Sequence, residues 1–172
     1  MNSFVLIIPL LIIRFIILGA LNPTALKEVA YFAPLLEKER IAYYVYQLAN
    51  ALLIIFPFFL KTRFDSIIGI LGGTIYLAGI LLLLISTTNF AKSTKKELRT
   101  QGIYRFSRNP MYVGYFLFFL GCVLITKSVI LFVSLISFQI SSHWIILSEE
   151  RWCQEKFGEK YLSYKGKVRR YF

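Results

Sequence analysis

Residues 4–21 read FVLIIPLLIIRFIILGAL, an apolar run with one charge in it. Runs of similar length recur at about 41–60 (IAYYVYQLANALLIIFPFFL) and about 67–88 (IIGILGGTIYLAGILLLLISTT). A fourth, from Pro110 to Leu147, is 38 residues long and broken only by TKS at 126–128. An apolar stretch of about 18 or more residues can cross a hydrocarbon core of roughly 30 Å as a helix. In that solvent a helix satisfies every backbone N–H and C=O from within, which an open strand cannot do. The chain therefore reads as all-α and polytopic, with about five transmembrane helices, the last two a helical hairpin, and then a cytoplasmic C-terminal helical tail. The first helix of the hairpin, about 16 residues, is slightly short for the core.

Composition agrees. The 172 residues are 57% hydrophobic and 17% charged, against roughly 25% charged in an average soluble domain, which excludes an ordinary soluble globule. That length suits a single domain, with three spans in 1–90 and a polar connector, the hairpin and the tail in 91–172. No basic residue precedes the first run, so a retained helix is expected there rather than a signal peptide. Arg14 lies within it, roughly 10 Å from its end, and reads first as a snorkelling anchor. The charges of residues 22–40 balance, leaving room for a short interfacial helix. Gly69, Gly72, Gly73 and Gly79 in the third span would let a neighbouring helix approach closely.

The net charge of +11 would suggest nucleic acid in a soluble protein. Here the basic residues cluster at the ends of apolar runs, which fits a cytoplasmic surface and anionic lipid headgroups, and no nucleic acid is expected. With the N-terminus outside, the inward segments 22–40, 89–109 and 148–172 hold 16 Lys and Arg, the outward ones 3. The connector and the tail then share the cytoplasmic side. Cys122 and Cys153 have neither metal-ligand spacing nor a disulfide framework, and one histidine excludes a multi-histidine metal site. Phosphate-loop and dinucleotide-binding glycine signatures are absent.

The chemistry-bearing residues lie at the two ends of the hairpin. In the connector, RTQGIYRFSRNPMYVGYF, Gly102 permits unusual backbone angles, Asn109 is a candidate helix N-cap and Pro110 suits the first turn. At the other end the last span carries His143, Glu149 and Glu150 near the membrane boundary, where ionisable groups are costly unless paired, solvated or functional. Residues 143 and 150 are almost two helical turns apart, so they share a face, and Glu149 points about 100° away. Tyr104, Tyr112, Tyr161 and Tyr164 flank these groups in sequence.

In order, G-x-Y, R-[HN]-P-x-Y, a carboxylate pair, F-G-x-x-Y-x-x-Y and a basic end occur across residues 92–172. This arrangement resembles the isoprenylcysteine carboxyl methyltransferase family and its phospholipid methyltransferase relatives. The resemblance implies a membrane methyltransferase using S-adenosylmethionine, bound where the hairpin meets connector and tail, with a lipophilic or lipidated acceptor and membrane lipids as partners. Carried over by position, the cofactor-contacting stretch falls on Lys96, Glu97, Leu98 and Arg99, then Gly102 and Tyr104. The R-[HN]-P-x-Y element falls on Arg108, Asn109, Pro110, Met111 and Tyr112, and the cofactor-side glutamate on Glu149. Glu149 and Glu150 suit the cofactor's cationic groups, Arg99 or Arg108 its carboxylate, and tyrosine rings its adenine. Transfer is a direct displacement that depends on alignment; an amine acceptor must also lose a proton, with His143 or Glu150 as candidate bases beside Glu149.

Two departures bear on the substrate. Asn109 stands where prenylcysteine enzymes have histidine, as in some phospholipid methyltransferase relatives. Ile145 stands where they have a substrate-side arginine, which counts against a prenylcysteine carboxylate unless Arg151 reaches the same point. The rival reading is a non-catalytic lipid-binding or scaffold protein that keeps the fold. A transporter lacks support, since five spans show no repeated half.

Overall fold

Each apolar run becomes a helix. The structure, a computed structural model, describes residues 1–29, 31–92 and 98–172. Among these, the helices are α1 (Ser3–Leu21), α2 (Pro23–Val29), α3 (Glu37–Ile55, prolonged by a tighter turn at Phe56–Phe59), α4 (Ile67–Lys92), α5 (Pro110–Thr126), α6 (Val129–Phe157) and α7 (Glu159–Lys167). A one-turn 3-10 helix, Gly102–Arg105, interrupts the connector. Helices α1, α3, α4 and α6 are long and apolar enough to cross a membrane, and the 17-residue α5 is the short span expected.

Hydrogen bonds sort the loops to two ends. At one, the Ser3 N–H donates to the Leu60 carbonyl at 3.0 Å, Thr62 N–H to Met1 at 3.0 Å and Arg63 N–H to Ile125 at 2.9 Å. At the other, the Asn22 amide donates to the Ala91 carbonyl at 3.0 Å, Arg99 pairs with Glu28, and Arg151 pairs with Glu39 at 2.7 Å. The chain thus traverses the bundle an odd number of times, and connector and tail meet at one end.

Helix boundaries differ from the apolar limits for local reasons. Helix α3 starts at Glu37 because the Glu39 carboxylate accepts the Leu36 N–H at 2.8 Å and satisfies an orphan donor of the first turn. The short interfacial helix α2 is capped by Asn22 Oδ1, which accepts the N–H groups of Thr24 and Ala25 at 3.0 and 3.2 Å. Helix α6 continues past Leu147 through good helix formers until Gly158, where a positive φ of 53° ends it.

The closest helix pair is α4 with α5, antiparallel and separated by glycine. A Cβ placed at Gly79 would lie 2.3 Å from the Phe118 nitrogen, one at Gly121 within 2.6 Å of Tyr76 backbone atoms, and one at Gly72 2.7 Å from Leu124 Cβ. In lipid no hydrophobic drive separates helix from solvent, so such close contact supplies the association. Of the four glycines singled out in the sequence, Gly72 and Gly79 do this. Gly69 instead makes room for the Arg63 carbonyl, and Gly73 meets only the Phe64 ring at 3.5 Å. The hairpin helices α5 and α6 approach less closely. Large rings bridge them: Phe119 sits edge-on to Phe138 at 5.9 Å, and Phe138 stacks on Tyr46 of α3 at 5.1 Å. Ile41, Tyr44, Leu48 and Ile55 on α3, and Val129, Phe132, Val133, Ile136 and Ile140 on α6, form exposed apolar stripes suited to lipid.

Candidate active site

Adjacent on α6, Glu149 and Glu150 diverge as helix geometry requires. Glu150 is buried and bound by two arginines: Arg108 Nη2 at 2.7 Å from Oε1, and Arg170 with Nε at 2.9 Å from Oε1 and Nη2 at 3.0 Å from Oε2. Glu149 turns toward α5 and, among the described residues, accepts one hydrogen bond, from the Tyr112 hydroxyl at 3.0 Å. His143 shares the Glu150 face, as its spacing requires. Its Nδ1 lies 3.3 Å from the Tyr171 hydroxyl, so that face receives the C-terminal tail.

The R-N-P element is engaged with the same tail. Arg108 Nη1 donates to the carbonyls of Lys165 (3.0 Å) and Val168 (2.8 Å), and its backbone N–H donates to Arg169 at 2.9 Å. Ser107 Oγ and Asn109 Nδ2 both donate to the Arg170 carbonyl at 3.2 Å. Asn109 occupies the N-cap position, but its side chain makes no capping bond to α5 and its Nδ2 donates to the tail. Pro110 opens the helix as expected, and Met111 is half-buried beside Tyr112. Tyr164 secures the connector, its hydroxyl donating to the Tyr104 carbonyl at 2.6 Å. Burial pushes the Tyr164 hydroxyl up to about 12, so it stays a donor at neutral pH.

Nearer the bundle axis, Gly102 starts the 3-10 turn at φ 61°, with Asn89 so close that a Cβ would sit 1.6 Å from its Oδ1. The turn buries Tyr104, and burial raises its hydroxyl well above the ordinary tyrosine value; Arg99, Glu149 and Tyr115 lie within electrostatic range. Arg99 pairs with Glu28 of α2 and stacks over the Phe90 ring at 3.7 Å, while its buried Nε has no partner among the described residues. Leu98 is half-buried next to it. Lys96 and Glu97 lie outside the described residues.

On the bilayer side of Glu149, sequence reasoning missed a polar cluster. Tyr115, one turn beyond Tyr112 on α5, accepts a hydrogen bond from Arg14 Nη1 at 2.8 Å, and Arg14 Nη2 donates to the Val29 carbonyl at 3.1 Å. Tyr46 lies within electrostatic range of Tyr115, Arg14 and Glu149. The three-residue spacing of Tyr112 and Tyr115 was the available signal, since residues so spaced share a helix face. Ile145 is fully buried in the core, and Arg151 grips Glu39 through both carboxylate oxygens at 2.9 and 2.7 Å. Neither offers a cation one turn before Glu149.

The arrangement separates two kinds of carboxylate. A concavity of about 430 Å³ lies on the tail side, lined by Leu147, Glu150, Arg151, Gln154, Glu155, Lys165 and Arg170. Glu150, Arg151 and Arg170 there are already paired with one another or with neighbours. Glu149, about 100° round the helix and bonded to Tyr112, is held without a cation among the described residues. No three His, Cys, Asp or Glu side chains gather as a metal site among the described residues. A family model described as Phospholipid methyltransferase matches residues 67–160, which spans α4, the connector, α5, α6 and the start of α7. No curated protein and no solved structure matches the chain.

Proposed function

The chain belongs to the phospholipid methyltransferase family, and from that premise we propose that it moves a methyl group from S-adenosylmethionine to an amine-bearing lipid that reaches the site from the bilayer at the cytoplasmic face. The observation that carries this reading is the unequal use of the carboxylate pair: arginines saturate Glu150, and Glu149 is left to a tyrosine.

The residues present fit S-adenosylmethionine. When bound, it supplies a methyl group on a positively charged sulfur, open to attack by an aligned nucleophile. Glu149 would meet that molecule's cationic part. Arg99, with an unused buried Nε, would take its carboxylate, and the Tyr104 and Phe90 rings would border its adenine. Arg108, Asn109, Glu150 and His143 act less directly in this reading: they pin the tail over the site and exclude water. An amine nitrogen must shed a proton to use its lone pair, and Glu149 is the carboxylate that no arginine occupies.

Amine acceptors are favoured over prenylcysteine because a substrate carboxylate would find no arginine at Ile145 or Arg151. With Ile145 buried, an arginine there would perturb packing rather than create specificity, so acceptor comparison is the cleaner test. Membranes with and without the protein, given methyl-labelled S-adenosylmethionine, should differ by label in the phospholipid fraction. Folded protein that neither binds S-adenosylmethionine saturably nor labels any lipid would leave the scaffold reading standing.

A further inference from the structure

Arg14 lies in the middle of α1, where six residues, Ile12–Ile17, adopt the wider π-helical winding. Such winding is rare and occurs frequently at functional sites. The Arg14 guanidinium carries five N–H donors in a rigid fork and no acceptor. Among the described residues those donors reach only neutral oxygens, the Tyr115 hydroxyl and the Val29 carbonyl, and no carboxylate pairs with it. The neighbouring Phe15 and Ile16 are 59% and 63% exposed on the lipid-facing surface. Arg14 is steered sideways onto Tyr115 of α5, one turn beyond the Tyr112 that holds Glu149.

We propose that Arg14, oriented by Tyr115, binds the oxyanion of a lipid in the site, a phosphate or a carboxylate set a few atoms from the group that faces Glu149. On α5, Tyr112 serves the carboxylate and Tyr115 the cation, about 4.5 Å apart along the helix. Tyr46, stacked on Phe138, lies within electrostatic range of both Arg14 and Glu149. Through the Tyr112 and Tyr115 hydroxyls α5 holds both a cation and an anion, the complement of a molecule that carries the opposite charges. This assignment rests on the methyl-transfer reading for its purpose, while its test does not depend on turnover.

The test is lipid retention by the full-length protein, measured by native mass spectrometry from detergent containing dioleoyl phosphatidic acid, oleate or dioleoylglycerol. Wild type should retain one of the two anionic lipids, and which one identifies phosphate or carboxylate as the preferred group. Arg14→Gln should lose about tenfold in affinity for that lipid and nothing for dioleoylglycerol. Arg14→Lys keeps the charge without the forked donors and should fall between; it also serves if the glutamine variant fails to fold. Tyr115→Phe should weaken retention a few-fold, and S-adenosylmethionine affinity should not change in any folded variant. Equal retention by wild type and the folded Arg14 variants would overturn the proposal and reduce Arg14 to a structural tie. A fall in S-adenosylmethionine affinity instead would assign Arg14 to the cofactor and also overturn it. Arg14-dependent retention without methyl transfer would leave this site standing and remove the catalytic reading; the reverse result would do the opposite.

Discussion

Substitution of Glu149 and of Glu150 by glutamine should damage different properties, although the two side chains are chemically identical. In Glu150→Gln the buried Arg108 and the Arg170 guanidinium lose their shared anion. Removing one partner of a buried ion pair costs on the order of 3 kcal/mol, so the melting temperature in detergent should drop by several degrees and the tail should become protease-sensitive. Glu149→Gln keeps a carbonyl acceptor for the Tyr112 hydroxyl and loses only the charge, so it should melt within a degree or two of wild type. Its S-adenosylmethionine binding, read by calorimetry, should fall about tenfold or more, since a carboxylate facing a cation is replaced by a neutral amide. Wild-type affinity in folded Glu149→Gln would remove that residue from the site. The divergence of the two carboxylates, and the common face of His143 and Glu150, were legible from helical spacing alone. That the Glu150 face belongs to the tail was not legible, because it depends on where residues 165–171 return, and no local pattern encodes that return.

At the level of helices, the α4–α5 seam makes a prediction of sign. Replacing glycine by alanine inside an ordinary helix is favourable by up to about 1 kcal/mol, and Gly73, facing only the Phe64 ring, should follow that rule with a small rise in melting temperature. At Gly79 and Gly121 the added methyl would overlap the partner backbone, and forced separation costs about 1–3 kcal/mol. Gly79→Ala and Gly121→Ala should therefore lower the melting temperature, and equal behaviour of all three variants would disprove the close seam. The sequence announced the glycine stripe and the brevity of α5 because both are local. It could not say which helix the stripe meets, nor that rings would hold α5 and α6 apart. The continuation of α6 beyond Leu147 was hidden for another reason: hydropathy marks where the bilayer ends, and helix propensity, broken only at Gly158, marks where the helix ends.

The whole molecule has a direction that follows from its two ends. The end formed by Met1, residues 60–65 and the α5–α6 turn carries Lys61, Arg63 and Lys127; the end formed by the 22–36 loop, connector and tail carries most of the remaining cations. Short basic loops are retained in the cytoplasm during insertion, so the candidate site should open inside the cell, where S-adenosylmethionine is supplied. Single cysteines in a background lacking Cys122 and Cys153 test this, with exposed positions chosen at each end: Lys61→Cys for the first and Ser163→Cys for the second. A membrane-impermeant maleimide added to intact cells should label Lys61→Cys, and should label Ser163→Cys only after the membrane is opened. The inverse pattern would turn the protein over and put the site outside, beyond reach of a cytosolic methyl donor. Labelling of both in intact cells would contradict the odd number of traversals on which the shared location of connector, tail and Glu149 depends.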